Sequence, residues 1–110
     1  MKQQLQTGDK NQEDTLFVKT LGKYPLIKVI DFLITFQEFD YSPTDIAEKS
    51  DVSYVTLQTF WDKLVLTGIV KKTREVGNAT MYKLNKENRI VKKLLELDEV
   101  LREEIRKEFI

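Results

Sequence analysis

The sequence predicts a mainly α domain with a small β-hairpin and a long C-terminal helix. Three observations lead there. Apolar residues recur at three- and four-residue intervals in five segments, most of them opened by a capping residue. Two short β-prone runs flank a Gly-Asn pair. The 110 residues are enough for one compact domain with one core and too few for two.

Residues 1–13 are rich in Gln, Asn and Lys and read as a mobile arm. From Asp14 the apolar positions Leu16, Phe17, Val18 and Leu21 have helical spacing, and Gly22 offers a stop. Tyr24-Pro25 opens a second helix, in which Leu26, Ile27, Val29, Ile30, Leu33, Ile34 and Phe36 form a broad apolar face. Such a face needs several neighbours, so this helix is expected at the centre. Ser42-Pro43-Thr44-Asp45 combines an N-cap, a first-turn Pro and an acidic residue at the positive end of the helix dipole. It starts a short helix over 43–49 that buries Ile46 and Ala47. Ser50 to Ser53 turns the chain, and Ser53 caps the next helix, 53–67, whose apolar set is Leu57, Phe60, Trp61, Leu64 and Val65. Gly68 ends it. Residues 69–84 form the hairpin, with Glu75 to Asn78 as its turn. Asn85 is expected to cap the last helix, which runs over 85–110 with Ile90, Val91, Leu94, Leu95, Leu97, Leu101, Ile105 and Phe109 apolar.

Composition excludes much. The chain has no Cys and no His, which removes disulfides, thiolate nucleophiles, imidazole bases and the usual zinc sites. No Gly-rich phosphate loop follows a strand, and no acidic cluster has metal-binding spacing. The expectation is a protein that is not an enzyme and uses no metal or cofactor. No apolar run reaches the roughly 18 residues of a membrane span, and no signal-peptide pattern opens the chain, so a cytoplasmic location is expected.

The order helix, short helix, tight turn, helix, hairpin is that of a helix-turn-helix with a β wing. Over residues 24–84 the chain resembles the winged helix-turn-helix family of microbial DNA-binding regulators. Ile46-Ala47, Val52-Ser53, Leu57, Trp61, Leu64, Gly68-Ile69-Val70, Tyr82 and Leu84 carry the resemblance. It implies that the helix over 53–67 reads DNA. If Val52, Leu57, Trp61 and Leu64 face the core, the opposite face presents Ser53, Tyr54, Val55, Thr56, Gln58, Thr59 and Asp62, with Lys63 at the edge. Gln58 suits a bidentate contact to adenine, Val55 a thymine methyl, Thr56 and Thr59 a base or phosphate, and Ser53 and Tyr54 phosphates. The plain alternative is a solvated helix face. Against it, this face carries Tyr, Thr, Gln and Val where an ordinary exposed helix carries Lys and Glu.

The resemblance also implies backbone or minor-groove contacts from the wing, which holds Lys71, Lys72, Arg74 and Lys83. The alternative is that these cations protect an exposed strand edge. Asn78 stands near the wing tip, where many family members place an Arg. Metal-sensing relatives of the arsenic-regulator type share this layout, but a chain without Cys or His cannot sense metal in their way.

Charge sets a tension. The 18 Lys and Arg balance 18 Asp and Glu, whereas DNA-binding domains are usually basic. Residues 42–84 carry six basic and five acidic residues, a net charge of only +1. Few phosphate contacts per protomer call for a dimer. The apolar stripe of the last helix, Ile90, Leu94, Leu97, Leu101 and Ile105, is expected to supply it, with Leu16, Phe17 and Leu21 completing the interface. The alternative is that this helix folds back on its own core. The expected function is a homodimeric, sequence-specific regulator of transcription on double-stranded DNA, with any small-molecule effector left open. The alternative function is a protein-interaction winged helix, an adaptor or assembly subunit.

Overall fold

A computed structural model describes residues 14–108. The arm expected over 1–13 and the apolar Phe109 lie outside the described residues. The element order is α1 (Leu16–Leu21), α2 (Pro25–Thr35), α3 (Pro43–Lys49), α4 (Tyr54–Leu66), β1 (Val70–Val76), β2 (Ala79–Leu84) and α5 (Arg89–Glu108).

Thr15 caps α1: its hydroxyl oxygen accepts from the Val18 N–H at 3.2 Å and its O–H donates to Asp31 Oδ1 on α2 at 2.7 Å. One threonine thus starts α1 and fixes it to the next helix. α2 is the central element, as its broad apolar face implies. Val29, Ile30, Phe32, Leu33 and Ile34 are buried, and the helix touches α1, α3, α4 and β2. Phe32, on the same face, also packs its ring against Phe36 and Tyr41, with centroids 5.2 and 5.0 Å away.

α3 and α4 end alike. After α3 the Asp51 N–H donates to Glu48 O and the Val52 N–H to Ala47 O. After α4 the Gly68 N–H donates to Val65 O and the Ile69 N–H to Leu64 O. Both are Schellman closures, which place one residue in the left-handed region. Gly68 takes it at φ 78° without a Cβ penalty, whereas Asp51 takes it at φ 60°. The Lys28 ammonium on α2 donates to the Asp51 carbonyl at 2.8 Å and holds this turn against the central helix.

β1 and β2 pair antiparallel from Val70↔Leu84 to Val76↔Ala79. Glu75 and Val76, expected in the turn, belong to the strand: Gly77 adopts φ 61° at the first central position, so two residues close the hairpin. The register shifts between Lys72 and Arg74, leaving Thr73 as a bulge. Tyr41 and Tyr82 exchange two backbone hydrogen bonds of 2.8 Å, an isolated bridge that ties the segment before α3 to β2.

The last helix starts later than expected. Asn85 does not cap it, because its N–H donates to Ile69 O and its side-chain amide to Gly68 O at 3.1 Å, closing the base of the hairpin. Asn88 caps instead, its side-chain oxygen accepting from the N–H groups of Ile90 and Val91. α5 lies against α1, with Val91 fully buried and Leu94, Leu95 and Leu101 packed on the common core. Asp98, mostly buried, is held by Arg102 at 2.6 Å one turn on. No helix among the described residues is long and apolar enough to cross a membrane.

Candidate nucleic-acid interface

α4 is anchored from behind. Leu57 and Leu64 are buried in the core, Phe60 packs beside them, and Trp61 meets the edge of Tyr82 on the hairpin at 5.1 Å between centroids, with the rings nearly perpendicular. Three of the four residues assigned to that face, Leu57, Trp61 and Leu64, share it in the fold. Val52, just before the helix, packs on the same core. Val65 differs: it stands exposed with Leu66, because at this end of α4 the face turned to the core is the one carrying Leu64.

The opposite face is open. Tyr54, Val55, Gln58, Thr59, Asp62 and Lys63 are exposed, Val55 at 72%, and Thr56 is half-buried. Their hydrogen bonds sort them. The Ser53 hydroxyl accepts from the Thr56 N–H and donates to Thr56 Oγ1, so it is committed to capping α4. The Thr59 hydroxyl donates to Thr56 O at 2.6 Å and keeps only acceptor capacity. Thr56 accepts from Ser53 and retains its own proton. Gln58 makes no side-chain bond among the described residues, leaving its amide oxygen and both N–H donors available.

Between α4 and the hairpin lies an open groove of about 700 Å³. Tyr54, Gln58, Trp61 and Asp62 wall one side, and Val76, Asn78, Thr80 and Tyr82 the other. Asp62 is its one charged lining residue among those described. Asp62 was expected on the reading face, with no part in recognition. Its spacing of four residues from Gln58 was the available signal, because that spacing puts both on one stripe of the helix. Val76, Asn78 and Thr80 join the groove only through the hairpin's fold.

The wing cations do not converge on this groove. Lys72 pairs with Glu75 at 2.7 Å on the hairpin face that carries Tyr82. Arg74 grips Asp40 with two bonds, Nε to Oδ2 at 2.9 Å and Nη2 to Oδ1 at 3.2 Å, and the Thr73 hydroxyl donates to the same carboxylate. These donors, the Arg74 guanidinium foremost, hold Asp40 well below the usual carboxylate range, at about 2. Lys71 and Lys83 sit directly opposite each other across the strands, and Lys83 lines a second hollow with Glu38, Asp40 and Arg74.

The residues expected at a dimer interface separate. Phe17 is 1% exposed and lies in the chain's own core, so it has no surface to offer a partner; in a six-residue helix it is the main anchor onto the body. Leu94 and Leu101 also pack on that core. Leu16 and Ile105 are half-buried. Ile90, Leu97 and Leu21 remain at the surface, Ile90 46% and Leu97 39% exposed. Seven residues apart, Ile90 and Leu97 share one stripe of α5. The two expectations for the last helix therefore each describe one side of it: one folds back on the core, the other stays open.

No protein-family model matches the chain, and no curated protein matches it by sequence. Solved structures similar in fold include the following two. A doubly substituted form of Lactococcus lactis ZitR aligns with a TM-score of 0.55 at 18% identity, covering 74% of this chain and 57% of the ZitR chain. Sso10a-2, a DNA-binding protein from Sulfolobus solfataricus, aligns with a TM-score of 0.51 at 17% identity, covering 74% of this chain and 84% of its own. The present chain thus spans little more than half the length of ZitR and most of the length of Sso10a-2. With α3, α4 and the β1–β2 hairpin in sequence and these two likenesses, the fold of the chain is that of a winged helix-turn-helix protein with a long C-terminal helix.

Proposed function

We propose that this chain binds double-stranded DNA in a sequence-specific manner and regulates transcription as a homodimer. One observation carries the reading. α4 is locked into the core by Leu57 and Leu64 while its outer face holds out Val55, Thr56 and Gln58, neutral groups suited to base edges in a major groove. The fold shared with Sso10a-2, itself a DNA-binding protein, supports the same assignment. A net charge of only +1 over residues 42–84 draws little affinity from phosphates, so base contacts and a second copy supply it. Two α4 helices then enter successive major grooves about 34 Å apart.

Selection of bound sites from a random duplex pool tests the reading. A palindromic consensus is the expected result, and a pool that does not enrich overturns it. Dimerisation rests on the open stripe of α5 beside Leu21. Leu97→Glu should convert a dimer to a monomer in sedimentation, and an unchanged mass would move the interface elsewhere.

A second reading, docking of a protein partner, is favoured by Asp62 as the one charge lining the groove among the described residues and by the exposed Tyr54 and Val76 on its walls. Failure to bind any duplex at low salt, with a folded protein, favours this reading over the first.

A further inference from the structure

Side chains on a regular strand alternate, so Val70, Lys72 and Arg74 would all point to one face of the hairpin. In this hairpin that face is the one with Leu84, Tyr82 and Thr80, which meets Trp61 and lines the α4 groove. The bulge at Thr73 breaks the alternation. Beyond it Arg74 pairs with Met81 and not with a residue of the groove face, and so shares the outer face with Lys71 and Lys83. There it meets Asp40, whose carboxylate is only 17% exposed and accepts from both Arg74 nitrogens and from Thr73 itself. Asp40 immediately precedes Tyr41, which bonds to Tyr82 on the other strand. The α2–α3 segment therefore holds both strands of the hairpin, one by backbone and one by charge.

We propose that Arg74 is a positioning residue of the wing, turned from the groove by the Thr73 bulge and fixed by Asp40, and that Asp40 thereby restrains duplex affinity by withholding one cation. The second clause rests on the DNA-binding reading above; the first does not. A bidentate guanidinium–carboxylate pair fixes direction as well as distance, which a Lys at this position does not reproduce. The arrangement sets the angle of the hairpin relative to α4 and hence the width of the groove between them.

The experiment has two arms on the full chain. In the first, amide hydrogen exchange of the hairpin is compared among the unmodified protein, Arg74→Ala, Arg74→Lys and Asp40→Asn. All three variants should exchange faster over residues 70–84 while α4 stays protected, with Arg74→Lys failing to restore the original protection. Unchanged hairpin protection overturns the positioning role.

In the second arm, binding to a random-sequence duplex is followed over a salt series. Arg74→Ala should leave the salt slope unchanged. Asp40→Asn should tighten low-salt binding several-fold and steepen the slope by about 1, the value for one added phosphate contact. The Asp40→Asn, Arg74→Ala double variant should return to the original slope. A slope that falls with Arg74→Ala, or stays steep in the double variant, overturns the restraint. If no form binds duplex, the DNA reading fails and takes the restraint with it, while the exchange arm still decides the positioning role.

Discussion

Across one groove the chain shows two kinds of polar surface. On α4, among the described residues, Gln58 keeps a whole amide available and Thr56 keeps its hydroxyl proton. On the hairpin, Arg74 is held by Asp40 and Lys72 by Glu75. Both regions were expected from the sequence to meet DNA, yet the fold pairs Lys72 and Arg74, while Lys71 and Lys83 form no ion pair among the described residues. Lys72 meets Glu75 within its own strand, and Arg74 reaches Asp40 on the segment before α3, whereas the outer face of α4 remains an uncharged polar stripe from Tyr54 to Thr59.

The largest expected effect comes from removing the support of that stripe. Leu57→Ala empties a fully buried site behind the open face and should cost about 2–5 kcal/mol in chemical denaturation. A smaller loss would show that the core behind α4 collapses to fill the space. Gln58→Ala touches the face alone. It should leave thermal stability within about 0.5 kcal/mol but weaken binding to a selected site by about 1–3 kcal/mol. Equal loss on selected and random duplex would remove Gln58 from base recognition.

The smallest effect contrasts two carboxylates in their response to pH. Asp40, at about 2 in the fold against an ordinary 3.8, stabilises the protein at and above pH 4, and this contribution fades as pH falls toward 2. Asp31 has the opposite sign. Burial, partly offset by the Thr15 hydroxyl and reinforced by Asp98 and Asp14, raises its carboxyl above the usual range. Its contribution is present below pH 4 and lost as pH rises through the raised value. Melting curves should then show Asp31→Asn gaining stability at pH 7 and little at pH 3, with Asp40→Asn losing stability at pH 7. Parallel shifts in the two variants would contradict this contrast between the core junction and the wing.

Much of the fold was legible because its signals are local. Ser42 and Ser53 cap where a Ser before an apolar period should, Gly68 ends α4 and Gly77 opens the turn. The misplacements share a cause. Asn85 has good capping chemistry, but its donors close the hairpin, so Asn88 took the cap. Phe17 fits a surface stripe by spacing, yet α1 is too short to anchor without it. Asp51 in a left-handed turn, stabilised from α2 by Lys28, leaves no trace in a propensity pattern.

On the candidate site the division is similar. Spacing along α4 placed Tyr54, Val55, Gln58 and Thr59 outward, since a helix fixes its faces by periodicity alone. The chain by itself determined the order of elements, their caps and the absence of thiol and imidazole chemistry, all of which depend on neighbours in sequence or on composition. Only the tertiary structure decided that Lys72 and Arg74 of the wing are engaged, that Arg74 turns from the groove at the Thr73 bulge, and that one side of α5 is used at home. The partner of an ion pair can lie far away in sequence, as Asp40 lies 34 positions from Arg74, and no local pattern encodes that distance.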